Sequence, residues 1–124
     1  MSNLVTFLEN AEAYRRDRRR VEYGDERDPN MRALLERIAP SNHVATMRKP
    51  IFAKAGRSDP RVPWIESHQI LDELTAQGAP NWFLMANNEG HGFVKKKNRD
   101  FQFNAEVLFF QRFLLDEPAE SATH

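Results

Sequence analysis

Two short apolar segments with a helical segment between them constrain the fold of this chain more than any other feature. The first runs from Pro50 to Ala55 and the second from Asn81 to Ala86, and each is typical of a short strand. Between them, Pro63 predicts the start of a helix and Gly78 predicts its end. This order predicts a βαβ unit, in which the two strands are parallel and joined by a right-handed crossover.

Two parallel strands make a poor sheet by themselves, because their edges stay unpaired and their faces need cover. Helical patterns on both sides of the βαβ unit supply part of that cover. Residues 3–23 predict one helix, and Asp28 with Pro29 predicts the start of a second. Residues 98–115 predict a helix after the second strand. The expected fold class is therefore α/β: a βαβα flank of a larger parallel sheet, preceded by two helices.

The last predicted helix has a strong apolar face, which is formed by Phe101, Ala105, Leu108, Phe109 and Phe113. The first predicted helix has an apolar stripe that continues as far as Tyr14. We expect residues 1–115 to form one folded unit and the polar residues 116–124 to be a flexible tail.

The composition excludes several classes of function. The 124 residues include no cysteine, which excludes disulfides, thiolate catalysis and cysteine-bound zinc. Lys and Arg number 18, as do Asp and Glu, so no net charge draws the chain to nucleic acid or to a membrane. No histidine and carboxylate spacing predicts a metal site, and we expect no metal and no cofactor. No signal peptide or transmembrane pattern is visible, so the compartment stays open, with the cytoplasm as the default expectation.

A histidine between two glycines follows the second predicted strand, and an aspartate follows the first. His91 lies five residues after the second strand, and Asp59 lies four residues after the first. Because parallel strands end at the same edge of a sheet, neighbouring strands would bring the two side chains together. Such a pair orients an imidazole and fixes its tautomer, as in a nucleophilic triad. Gly90 and Gly92 are expected to permit unusual backbone conformations and a close approach to the ring.

Four segments carry a resemblance to a known family. They are "FLENAEAYRRDRRRVEYGDERDP", "GRSDPRVP", "ESHQILDELTAQGAPNWFLM" and "NNEGHGF". Together they resemble the C-terminal end of the catalytic domain in the prolyl oligopeptidase family of serine peptidases, over roughly residues 3–115. The resemblance implies a partial α/β-hydrolase fold, with Asp59 as the triad acid, His91 as the general base and peptides as substrates. It also implies substrate binding by Arg61, which matches a position that binds a substrate carbonyl in some members.

The resemblance also implies that the nucleophile is missing, because the family's serine lies in a Gly-x-Ser-x-Gly-Gly turn before the segment present here. Ser58 has a glycine two residues earlier, but Pro60 stands where a glycine is needed, so Ser58 is expected to form a turn. The two oxyanion donors are expected to be missing as well. The chain alone should therefore be inactive, whether it is a truncated gene, half of a split enzyme or a fragment.

A non-catalytic interaction module is the alternative. Its open sheet edge and uncovered face would bind a partner, such as the missing N-terminal part of the domain. A run of arginines from Arg15 to Arg20 also invites a nucleic-acid interpretation. We expect no nucleic-acid partner, because acidic residues from Glu22 to Asp28 follow the run and should cancel its charge on a solvated helix face.

Overall fold

The computed structural model describes residues 1–115 and gives the following elements in chain order. They are α1 (Leu4–Glu9), α2 (Ala13–Tyr23), α3 (Pro29–Ile38), a 3-10 helix (Pro40–Thr46), β1 (Ile51–Gly56), α4 (Ile65–Ala76), β2 (Asn81–Ala86) and α5 (Lys96–Phe113). The predicted tail, residues 116–124, lies outside the described residues. Within residues 1–115, no helix combines the length and the apolar character needed to cross a bilayer.

The predicted βαβ unit is present, and the predicted α/β fold class is confirmed. β1 and β2 are hydrogen-bonded neighbours and run parallel, in register from the pair Ile51 and Asn81 to the pair Gly56 and Ala86. α4 connects the end of β1 to the start of β2. The connection places the loops that follow the two strands at one edge of the sheet, where ligands bind in open α/β sheets.

A helix packs on each face of the two-stranded sheet. On one face, Leu71 and Leu74 of α4 are buried in a core cluster that also includes residues of the 3-10 helix and β1. On the other face, the ring of Phe109 in α5 lies 5.5 Å from the ring of Phe52 and 5.5 Å from the ring of Trp82. This division follows from the alternation of side chains along a strand, which points neighbouring residues to opposite faces.

The first predicted helix, over residues 3–23, is two helices. Asn10 ends α1, and its side-chain amide donates to the carbonyl of Thr6 at 2.8 Å. Because α2 starts again at Ala13, the apolar stripe loses its phase, and Tyr14 is 72% exposed instead of joining the core. The buried side chains of α1 pack on Leu35 of α3. Three α-helices and a 3-10 helix therefore precede β1, where the sequence predicts two helices.

The apolar face of α5 is only partly buried. Phe109 packs on the sheet, whereas Phe101 and Leu108, which were predicted to face the core, are 65% and 57% exposed. The reason is that α5 meets a sheet of only two strands, so much of the face has no neighbour within residues 1–115. α5 also begins at Lys96, two residues before the predicted start.

A buried carboxylate joins the N-terminal segment to α4. Glu66, in the first turn of α4, has no solvent exposure. Its Oε2 accepts from the backbone N–H groups of Ser2 and Asn3, each at 3.3 Å. Its Oε1 accepts from the hydroxyl of Thr6 at 2.7 Å. A buried charge needs such donors, so Glu66 fixes the position of α1 against the βαβ unit.

Candidate active site

The loops that follow β1 and β2 contact each other at the carboxyl edge of the sheet. The backbone N–H of Arg57 donates to the carbonyl of Ala86 at 3.0 Å, and the N–H of Ser58 donates to the carbonyl of Glu89 at 3.1 Å. These two bonds extend the parallel pairing beyond the strands. They hold the segment that carries Asp59 against the segment that carries His91.

Asp59 and His91 form a hydrogen-bonded pair at this edge. The imidazole Nδ1 of His91 lies 2.8 Å from Oδ2 of Asp59. The Asp59 side chain is 11% exposed and that of His91 is 47% exposed. Since an ionised carboxylate only accepts hydrogen bonds, Nδ1 carries the proton, and a neutral imidazole therefore has an unprotonated Nε2. The pair thus combines a fixed tautomer with a ring that solvent can reach.

The other carboxylate oxygen of Asp59 is held by its own loop. Oδ1 accepts from the backbone N–H of Arg61 at 2.7 Å and from that of Val62 at 3.1 Å. Burial is the largest single influence on the pKa of Asp59 and acts to raise it, but the bonds from Arg61, His91 and Val62 together outweigh it and lower the pKa below its usual value. Asp59 is therefore ionised at neutral pH and keeps a fixed orientation.

Glycine at the end of β1 allows the two loops to meet. A Cβ atom at Gly56 would lie 2.1 Å from the carbonyl oxygen of Gly90 and 2.6 Å from that of Glu89. Gly92 has φ +123°, a conformation that favours glycine, as the sequence predicts. Gly90 differs from that prediction, because its φ is not positive and an added Cβ would meet only the Ser58 carbonyl oxygen at 3.8 Å. The close approach thus depends on Gly56, a residue that sequence reasoning missed.

Glu89, directly before the Gly90–Gly92 turn, is a second residue that sequence reasoning missed. It is 2% exposed, and its carboxylate accepts from the N–H of Lys95 at 2.9 Å and from the side-chain amide of Asn98 at 2.8 Å. The bond from Asn98 is the main cause of the lowered pKa of Glu89, and burial opposes it. Glu89 therefore ties the histidine loop to the start of α5. The sequence gives little signal for this contact, because Glu89 lies nine residues before the predicted start of that helix.

A cleft of about 320 Å³ lies beside the pair. Its lining includes Asp59, His91, Trp64 and Phe93. Lys54 of β1 also reaches this cleft and is exposed, with Nζ 6.0 Å from the ring centroid of Phe93. The cleft therefore offers aromatic surface and one cation next to the exposed edge of the imidazole.

Ser58 and Arg61, which flank Asp59 in the sequence, do not hydrogen-bond to the His91 imidazole within residues 1–115. Among the hydrogen bonds of residues 1–115, the imidazole of His91 bonds Asp59 alone, so no described serine contacts it in this way. Ser58 is exposed and bonds the histidine loop through its backbone. The Arg61 backbone holds Asp59, and Arg61 also lines a second cleft together with residues of α2.

Comparison with known proteins identifies relatives of this chain. The model of the prolyl oligopeptidase family matches residues 2–117. Dipeptidyl aminopeptidase BIII of Pseudoxanthomonas mexicana is 33% identical over 97 residues, which cover 78% of this chain and 14% of the relative. Dipeptidyl peptidase family member 6 of Caenorhabditis elegans is 30% identical over 117 residues, which cover 91% of this chain and 16% of the relative. The chain thus spans a small part of the length of these relatives.

Solved structures agree with the fold. A puromycin-hydrolyzing peptidase of Mycobacterium tuberculosis superposes with a TM-score of 0.82 at 25% identity, over 96% of this chain and 18% of that structure. The acylaminoacyl peptidase of Pyrococcus horikoshii superposes with a TM-score of 0.81 at 16% identity, over 100% of this chain and 20% of that structure. The five helices and two strands are therefore arranged as in one part of a larger catalytic fold.

Proposed function

Because the chain belongs to the prolyl oligopeptidase family, we propose that it is the C-terminal part of a serine peptidase catalytic domain and that Asp59 and His91 are its triad acid and base. The observation that carries this proposal is the 2.8 Å contact between Nδ1 of His91 and Oδ2 of Asp59 at the carboxyl edge of parallel strands. The nucleophilic serine and the oxyanion donors belong to the part of the fold that this chain does not span.

In the proposed reaction, Nε2 of His91 takes the hydroxyl proton of that serine while the serine oxygen attacks the peptide carbonyl. The C–N bond then breaks, and His91 gives the proton to the leaving amine, which leaves an acyl-serine. Water repeats the cycle and releases the acid. Asp59 stays ionised, holds the tautomer that leaves Nε2 unprotonated and stabilises the imidazolium that forms.

The cleft of about 320 Å³ provides room for part of a peptide beside Nε2. Trp64 and Phe93 supply apolar surface in this cleft. Trp64 lies between Asp59 and the start of α4, and Phe93 lies two residues after His91. Arg61 is proposed to bind substrate as well, on the strength of its position two residues after the acid. Without a serine nucleophile and its oxyanion donors, the chain by itself is proposed to be inactive.

A chimera tests the proposal. The segment of dipeptidyl aminopeptidase BIII that matches this chain is replaced by this chain, and hydrolysis of a peptide substrate is compared with that of the parent enzyme. The chimera should be active, and Asp59→Asn and His91→Ala should each lower kcat by about 10⁴-fold or more. Arg48→Ala, at an exposed site away from both clefts, is the matched control and should not change kcat.

Circular dichroism and thermal melting establish that each chimera folds. A folded chimera with no activity, or activity that survives His91→Ala, would refute the roles of the pair. The isolated chain provides a further test, because it should neither hydrolyse the peptide nor react with a fluorophosphonate probe. Labelling of Ser58 by the probe would show that the nucleophile lies within this chain.

A second candidate function is a partner-binding module, and the exposed apolar surface of α5 favours it. Its exposed apolar side chains lie on two opposite flanks of the helix, Phe101 with Leu108 and Phe103 with Phe110, and are between 54% and 65% exposed. Apolar patches of this kind mark interaction sites on soluble proteins. The occupant proposed is the remainder of a hydrolase domain, supplied by a separate polypeptide.

Size-exclusion chromatography of the chain with the N-terminal part of a relative's catalytic domain tests this partner-binding function. Co-elution that is lost in Phe101→Glu but kept in Lys97→Glu, an exposed site on the same helix, would support it. If the chain elutes as a monomer in the presence of the added domain, the result counts against the partner-binding function.

A further inference from the structure

A second cleft is lined mainly by arginine and tyrosine, and its lining includes Arg61, whose backbone N–H donates to Asp59. Its volume is about 480 Å³. Its basic and aromatic lining residues are Tyr14, Arg15, Arg18, Arg19, Tyr23 and Arg61. We call this feature the arginine cleft. Five of these residues belong to α2, and Arg61 belongs to the loop that carries the proposed triad acid.

The positive charge of the arginine cleft is not cancelled in the way that the sequence predicts. The sequence places four acidic residues after the arginine run: Glu22, Asp25, Glu26 and Asp28. Glu22 lines the cleft and pairs with Arg18 at 3.2 Å. Glu26 is buried and pairs with Arg20, and Asp25 pairs with Arg27 at 2.7 Å. Asp28 caps α3 through its side chain. Four arginines therefore line the cleft with a single glutamate.

Three of the four arginines that line the cleft have guanidinium groups without a carboxylate partner among residues 1–115: Arg15, Arg19 and Arg61. Arg61 makes its hydrogen bonds there through backbone atoms alone. The side chain of Arg15 bonds only the hydroxyl of Tyr14, at 2.7 Å. Guanidinium groups prefer bidentate contacts with carboxylates or phosphates, so the cleft presents unused donors of that geometry.

Arg19 links the arginine cleft to the Asp59 loop. Its guanidinium lies 4.5 Å from the ring centroid of Phe7 and donates to the carbonyl of Arg61 at 3.0 Å. The N–H of the same Arg61 donates to Asp59 at 2.7 Å. Arg19 therefore holds the loop, and Arg15 and Arg61 remain to meet a ligand. The ligand site and the proposed triad share one short segment of backbone.

We infer that the arginine cleft binds a carboxylate of a peptide substrate, either an acidic side chain or the terminal carboxylate. This assignment rests on the proposed peptidase function, because the cleft adjoins the loop that would hold the triad acid. It adds a preference for acidic peptides, which the Asp59 and His91 pair does not itself supply. A carboxylate matches the fork of a guanidinium, and the two tyrosine rings offer surface to the peptide beside it.

Titration of the isotope-labelled 124-residue chain tests the inference without any turnover. Acetyl-Glu-Glu-Glu-amide and the terminal carboxylate of triglycine should shift the Nε–Hε signals of Arg15 and Arg61 in a saturable way. The neutral acetyl-Gln-Gln-Gln-amide should bind at least tenfold more weakly. Arg61→Ala and Arg15→Ala should each weaken binding of the acidic peptide by about three- to tenfold. Arg48→Ala, which removes an exposed arginine outside the cleft, should leave it unchanged.

Three results would overturn the inference: equal binding of the Glu and Gln peptides, binding that survives both cleft variants, or tighter binding of tripolyphosphate or single-stranded DNA than of the acidic peptide. His91→Ala separates the two proposals, because it should abolish activity of the chimera and leave the titration intact. If the chimera is active but the isolated chain does not bind the acidic peptide, only the arginine-cleft proposal is refuted. If the isolated chain binds the acidic peptide but the folded chimeras are inactive, only the peptidase proposal is refuted.

Discussion

Gly56→Ala is the substitution that tests the geometry of the candidate site most sharply. The added Cβ would lie 2.1 Å from the carbonyl oxygen of Gly90, and ordinary contact begins near 3.4 Å, so the histidine loop must move by about 1.3 Å. Overpacking of this kind costs about 1–3 kcal/mol. The movement also stretches the bonds of Arg57 to Ala86 and of Ser58 to Glu89, each worth about 1 kcal/mol.

The expected loss for Gly56→Ala is therefore about 3 kcal/mol in the free energy of unfolding, which corresponds to a fall in Tm of roughly 12 °C for a chain of this size. Gly90→Ala is the matched control, since it adds the same methyl group to the facing loop. Its Cβ would meet nothing closer than 3.8 Å and its φ is not positive, so its effect should stay within about 0.5 kcal/mol.

Urea unfolding, followed by the fluorescence of Trp64 and Trp82, gives the free energy for both variants. NMR of the His91 ring adds a local readout, because the displaced loop should lose the bond to Asp59 in Gly56→Ala and keep it in Gly90→Ala. Equal losses in the two variants would refute the assignment of the close approach to Gly56. So would a Gly56→Ala variant as stable as the natural chain.

Three further predictions concern the fold and the charge of Asp59. Glu66→Ala should lower the free energy of unfolding by about 2–4 kcal/mol in urea unfolding, because it leaves the buried backbone N–H groups of Ser2 and Asn3 without this acceptor. Phe109→Ala should cost about 3–5 kcal/mol in the same assay, whereas Phe101→Ala, at a 65% exposed site, should cost less than about 0.5 kcal/mol. The pKa of Asp59 is lower in the folded chain than in the unfolded chain, so its stabilisation is complete above the unfolded pKa and is lost as the pH falls through the folded pKa. The difference in urea midpoint between the natural chain and Asp59→Asn should therefore shrink as the pH falls below about 5, and a constant difference would contradict the lowered pKa.

The features that the sequence predicts well are those set by local pattern and chain topology. β2 and the start of α3 match their predicted bounds, because strand composition and the Asp28 and Pro29 signals are local. The meeting of Asp59 and His91 also follows from the sequence, since parallel strands must end at one edge.

The features that the sequence does not predict depend on contacts between distant segments. The side-chain cap at Asn10 that divides the first helix has no strong pattern in its favour. The exposure of Phe101 depends on how many strands are present to cover α5, which periodicity alone cannot give. The need for glycine at residue 56 arises only when the Glu89 and Gly90 carbonyls cross the end of β1.

The charge of the arginine run is a similar case. Counting acids along the chain predicts cancellation, but charge neutralisation depends on which side chains meet in space. Glu26 folds inward to Arg20, so it leaves the arginines on the other side of α2 without that partner. Neutral composition is therefore compatible with a locally basic cleft.

The protonation of the His91 ring tests the central claim most directly, because the account depends on the hydrogen bond from Nδ1 to Asp59. Nitrogen-15 NMR of the neutral imidazole identifies which ring nitrogen carries the proton. The account predicts a protonated Nδ1 and a bare Nε2 in the natural chain, and a change toward the other tautomer in Asp59→Asn. A protonated Nε2 in the natural chain, or the same tautomer in both proteins, would contradict it.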